Sequence, residues 1–207
     1  RDGGLTKVDL LERRIARRVI QAGNSIGGAV SQDGRVIAAQ NYTPGGVKLF
    51  DAVTLELLAD IPAAPGPDGK PSKVVGLADA PGRRFVASLF DAGEIWVIDA
   101  RDPRSPKVER FRDIGKQPYD GLVTPDGRWY LAGLFGEDGL ALLDLWHPER
   151  GVKRILPNYG KGEEKRLLKI AAEQFKKAED RGQTGYALTW RYDRGEIEED
   201  LRRWLAQ

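Results

Sequence analysis

Four segments of this chain repeat one pattern, an apolar run closing on aspartate: "KVDL" ending at Leu10, "VKLFDAVTLE" at 47–56, "IWVIDARDP" at 95–103 and "LALLDLWHP" at 140–148. Asp9, Asp51, Asp99 and Asp144 mark a recurrence of roughly 45 residues, the period of propeller blades. A second landmark keeps step with the first: "SQDGR" at 31–35, "DAPGRR" at 79–84 and "TPDGR" at 124–128. Each joins two apolar runs through a corner in which Asp tolerates turn geometry and Gly supplies positive φ. Each unit therefore reads as a four-stranded antiparallel meander.

In the unit richest in signals the spacing predicts strands at 121–124, 128–135, 140–145 and 152–156, and the same template fits 27–61 and 74–114. The chain is thus expected to be mainly β, an incomplete β-propeller of about three to four blades, fewer than usually close a ring. Sheet edges would be exposed unless something covers them. From about residue 163 the character changes. Leu167, Leu168, Ala171, Phe175 and Ala178 follow helical spacing, "GYALTWRYD" alternates as a strand, and Ile197, Leu201, Trp204 and Leu205 fit another helix face. The expected division is a partial propeller over 1–162 and a helix–strand–helix tail over 163–207.

Composition narrows the chemistry. With 33 basic and 31 acidic residues among 207, a net charge of +2 gives no broad cationic field, and no nucleic-acid partner is expected. The cluster Arg13, Arg14, Arg17 and Arg18 reads as a solvated edge. Cys is absent, which excludes a thiolate nucleophile, a disulfide framework and Cys-based metal sites. His147 is the sole histidine, so neither a multi-histidine metal site nor a Ser/His/Asp arrangement is expected. "GNSIGG" lacks the strand-to-helix context of a dinucleotide fingerprint. No apolar run approaches the roughly 18 residues that cross a bilayer. The chain opens on Arg1 and contains no Met, so its first residue is not expected to be the natural start.

Strand alternation sends successive turns to opposite ends of a blade, placing the "DGR" corners on one face. The loops before the innermost strands and those joining second to third strands share the other. That face collects Asn24, Ser25, Asn41, Tyr42, Lys73, Phe90, Asp91, Gln117, Tyr119, Asp120, Phe135, Glu137 and Asp138. A mouth lined by aromatic and amide groups with a cation suits a flat, acidic ligand, whose faces stack on rings while Lys and Asn take its carboxylates. For each residue a plainer reading stands beside this one. Asp and Asn satisfy turn geometry, and Phe90 and Phe135 are equally suited to packing between blades.

The segments "RDGGLTKVDL", "AGNSIGGAVSQDGR", "NYTPGGVKLFDAVTLELLADIP", "SKVVGLADAPGRRFVASLFDAGEIWVID", "GKQPYDGLVTPDGRWYLAGLFGEDGLALLDLWHP" and "NYGKG" together resemble the NirF-type heme d1 biosynthesis proteins, relatives of the d1-heme propeller of cytochrome cd1 nitrite reductase. The match covers about residues 1–165. The resemblance implies an eight-bladed propeller in a periplasmic setting that binds heme d1 or a dihydro-heme d1 precursor late in cofactor assembly. It also implies contacts with other heme d1 assembly proteins or with nitrite reductase, and is compatible with a homo-oligomer. It places the iron-ligating histidine upstream of Arg1 and an acidic residue in the pocket, for which Asp79 and Asp91 are the candidates. Arg1 and Lys73 are the expected carboxylate partners. Whether the protein carries its ligand or acts on it stays open, as does a rival in which the blades are a protein-interaction scaffold without pigment. The tail after Lys165 does not follow the family.

Overall fold

The structure, a computed structural model, describes residues 3–157. The candidate Arg1, the expected boundary at 162 and the expected helix–strand–helix tail lie outside the described residues.

Gly4–Asp9 (β1) and Arg14–Ile20 (β2) form a two-stranded sheet. Three four-stranded sheets follow. The first is Asn24–Val30 (β3), Val36–Thr43 (β4), Gly46–Asp51 (β5) and Leu57–Ile61 (β6). The second is Val74–Ala80 (β7), Arg84–Leu89 (β8), Glu94–Asp99 (β9) and Lys107–Phe111 (β10). The third is Pro118–Val123 (β11), Trp129–Leu134 (β12), Leu140–Asp144 (β13) and Val152–Ile155 (β14). All pairings are antiparallel between chain neighbours, so each sheet is a meander. The incomplete β-propeller expected from the repeat is what forms.

The repeating aspartates are corner clamps. Oδ1 of Asp51 accepts the amides of Val53 and Thr54 at 2.9 and 2.7 Å, and Oδ1 of Asp9 accepts those of Leu11 and Glu12 at 3.1 and 3.0 Å. Asp99 does the same for Arg101 at 3.0 Å and Asp144 for Trp146 at 3.1 Å. Each side chain thus mimics a backbone turn where the third strand ends. β1 and β2 are accordingly the outer half of another blade. At the "DGR" corners, Ser31 and Thr124 hydroxyls accept the amides of Val36 and Trp129 at 3.0 Å each.

Both faces of the middle sheet are buried, which explains its nearly unbroken apolar runs. Along β8, Phe85, Ala87 and Leu89 enter the core shared with β4 and β5, while Val86 enters the core shared with β12 and β13. β9 alternates in the same way, with Trp96 and Ile98 on one side and Ile95 and Val97 on the other. Polar stitches join successive blades: Lys7 Nζ donates to the Val53 carbonyl at 2.6 Å, Gln40 Nε2 to Val75 at 2.8 Å and Arg84 Nη1 to Leu145 at 3.0 Å. Fully buried Tyr130 meets Ser88 Oγ at 2.7 Å, and burial pushes its phenol up to about 12.

Candidate functional site

Three rings gather where the middle and last blades meet, at the end opposite the "DGR" corners. Phe90 follows β8, Tyr119 is the second residue of β11 and Phe135 follows β12. Phe90 lies 5.8 Å from Tyr119 at 75° and 6.0 Å from Phe135 at 48°, and Tyr119 lies 5.7 Å from Phe135 at 37°. These are edge and tilted contacts of the kind rings favour. Phe135 nevertheless remains 64% exposed and Tyr119 37%. The cluster is therefore a surface of rings and not a closed core, which resolves the two readings of Phe135 in favour of exposure.

Lys73, just before β7, holds its Nζ 5.4 Å from the Phe90 ring centroid and 3.3 Å from Asp91 Oδ1. Its backbone amide donates to Asp91 Oδ2 at 3.0 Å, and its carbonyl accepts the Phe90 amide at 2.9 Å. Beneath this link lies Ser72, fully buried, whose Oγ accepts the amides of Asp91 at 2.9 Å and Ala92 at 3.2 Å. Sequence reasoning missed Ser72. A serine two residues before a strand carries no signal of its own, because its partners lie 19 and 20 residues away.

The other expected residues divide. Gln117, Asp120 and Asp138 are exposed. The Gln117 carbonyl accepts the Phe135 amide at 2.9 Å, tying the two ring-bearing loops together. Glu137 closes the same corner, its Oε1 accepting the Lys116 amide at 3.0 Å and pairing with Arg154 Nη1 at 3.4 Å. Asn24, Ser25, Asn41 and Tyr42 sit one blade away. Ser25 Oγ donates to the Gln40 carbonyl at 2.6 Å. Asn41, expected at the mouth surface, is only 1% exposed and exchanges two amide bonds with Gln21, at 2.8 and 3.1 Å. Tyr42 is half-buried at the end of β4. Asn24 Oδ1 is buried and accepts no hydrogen bond among the described residues.

The two acidic candidates are not brought together. Asp79 pairs with Phe85 near the turn that closes β7 to β8, whereas Asp91 lies beyond the other end of β8. Asp79 instead borders a cleft of about 610 Å³ along the innermost strands, with Gly28, Leu77, Leu122 and Thr124. The length of the hairpin separates the pair, so Asp91 alone stands at the rings. His147 also lies at the far corner, its Nδ1 3.3 Å from Glu149 Oε1 beside the short 3-10 turn Pro148–Arg150. Among the described residues no group of three or more His, Cys, Asp or Glu side chains is placed to hold a metal, and no helix is long and apolar enough to cross a membrane.

A four-stranded meander repeated with β3, β7 and β11 as the inner strands defines the β-propeller class. The sequence profile of the cytochrome D1 heme domain matches residues 1–175, and the chain belongs to that family. Within it, the chain is 67% identical over 167 residues to Protein NirF of Pseudomonas aeruginosa and 66% identical over 166 residues to Protein NirF of Stutzerimonas stutzeri. Each match covers 80% of this chain and 42% of the relative, so the chain spans less than half the length of these NirF relatives. It is also 38% identical over 146 residues to dihydro-heme d1 dehydrogenase of Pseudomonas aeruginosa, covering 70% of this chain and 29% of that protein. Among solved structures it resembles dihydro-heme d1 dehydrogenase NirN in complex with DHE, with a TM-score of 0.63 and 32% identity over 75% of this chain and 32% of that one. The Cps50 (Swd1) β-propeller domain of Myceliophteria thermophila shares the fold alone, with a TM-score of 0.59 and 17% identity over 75% of this chain and 51% of that one.

Proposed function

We propose that this chain forms part of a NirF-type protein of heme d1 biosynthesis, and that its mouth takes one face of a d1-type tetrapyrrole precursor. The Phe90–Tyr119–Phe135 cluster, open to solvent at Tyr119 and Phe135, carries the reading, because rings left open beside a cation suit a flat conjugated acid. The donor set fits such a group: three rings for its face, Lys73 for a carboxylate, and Gln117 at the rim. A bound d1-type heme supplies the iron and the conjugated ring. The chain's residues orient it and shield its face from water. Lys73, steadied by Asp91, would exchange part of that ion pair for a ligand carboxylate. Arg1 as a second carboxylate partner, a periplasmic setting and contact with other heme d1 assembly proteins belong to the same reading, supported by the family likeness.

The test is an absorbance titration of the full-length protein with heme d1. The expected result is a saturable band shift in the wild type and weakened binding, by roughly tenfold, in Phe135→Ala, the size of one lost stacking contact. Wild-type protein that leaves the pigment's spectrum unchanged would overturn the proposal. Anaerobic turnover of a dihydro-heme d1 precursor, lost in Asp91→Asn but kept in Asp79→Asn, would add catalysis to carriage. A scaffold reading draws on Leu10 and Leu11, 83% and 95% exposed at the β1–β2 corner. Co-purification of a partner with no pigment bound would favour it.

A further inference from the structure

The geometry points to Ser72 as a positioning residue for the pigment face, an inference that rests on the reading just proposed. Its hydroxyl is where two mouth loops are joined. Ser72 is fully buried, its amide donates to the Ala64 carbonyl at 2.9 Å, and its Oγ takes the amides of Asp91 and Ala92. Those two amides flank the place where the chain leaves the Phe90 ring and turns toward β9. Both amides turn toward the buried Ser72 side chain, so the hydroxyl that accepts them sets the path of the turn. The same Oγ donates to the Lys73 carbonyl at 3.1 Å, and that carbonyl also accepts the Phe90 amide. One oxygen therefore sets, through backbone bonds, the ring of Phe90, the carboxylate of Asp91 and the origin of the Lys73 side chain.

The loop of the preceding blade rests on this point as well. A Cβ on Gly45 would stand 2.5 Å from the Ser72 carbonyl oxygen, which leaves that residue no freedom to retreat. Ser72 touches no part of the open surface, so it acts through Phe90, Asp91 and Lys73 and not on the ligand directly.

Ser31 supplies a control. It is also buried, at 4% exposure, and its hydroxyl likewise accepts a corner amide, from Val36 at 3.0 Å, but at the "DGR" end of a blade. The experiment titrates full-length wild type, Ser72→Ala and Ser31→Ala with heme d1, reading affinity, absorbance-band position and Tm. Both variants are expected to lose Tm. Ser72→Ala alone should bind roughly tenfold more weakly, the scale of one or two lost hydrogen bonds, and shift the band of the bound pigment. Wild-type affinity and spectrum in Ser72→Ala, or equal changes in Ser31→Ala, would overturn the assignment. Should Ser72→Ala not fold, Ser72→Cys keeps the side-chain shape with a bulkier, weaker acceptor, and a wild-type spectrum there would overturn it too. A wild type that binds no pigment removes the site itself, and the positioning role with it.

Discussion

At the scale of single residues, the recurring aspartates among the described residues serve as structural acceptors. Asp33 shows the electrostatic side of that work. Its carboxyl is lowered to about 2, first by the Ser31 hydroxyl bond and then by Arg83, whose Nε reaches Oδ2 at 2.8 Å across to the next blade. A carboxyl held below its unfolded value contributes stability that is present above that value and lost as pH falls through the folded one. The window here runs from 3.8 down to about 2. The group is exposed, so solvent discounts the contribution and it should be small. Asp33→Asn should flatten the dependence of Tm on acid within that window and leave the curve above it parallel to wild type. An unchanged acid limb would remove Asp33 from the account.

At the scale of elements, close approach between neighbouring strands decides what substitutions are allowed. A Cβ on Gly121 would stand 2.2 Å from the Tyr130 hydroxyl, which is buried and bonded to Ser88, so neither side can yield cheaply. Gly121→Ala should therefore cost about 1–3 kcal/mol by overpacking. Chemical denaturation would check it, and a loss below experimental error would mean that the Tyr130 ring gives way to the added methyl. Strands and corners were legible beforehand because they are local. The expected strand 128–135 forms as Trp129–Leu134, bounded by the "PDG" turn and the glycine-bearing corner. The ring cluster was legible only as a set of residues sharing an end, since its contacts join two sheets. Asn41 misled because its amide partner, Gln21, lies 20 residues away and turns the side chain inward. Asp79 entered as a candidate through the family resemblance alone, and the "DAPGRR" corner that carries it lies at the end away from the rings.

At the scale of the whole described region, stability should be graded along the chain. The middle sheet feeds both apolar cores, whereas β1–β2 has exposed Val8, Ile15 and Ile20 and contributes to neither. In a quasi-linear array of this kind each unit is held chiefly by its neighbours. Amide hydrogen exchange should be slowest in β8 and β9 and fastest in β1 and β2, with the outer sheets between. Uniform protection would refute nearest-neighbour coupling. The triad of Phe90, Tyr119 and Phe135 has a further consequence, because its members come from two successive sheets. Any hinge-like parting of those sheets must draw Phe90 away from the Tyr119 phenol, which keeps only Phe135 of its own sheet beside it. Its near-ultraviolet signal would then serve as a built-in gauge of breathing between them, readable without any added probe.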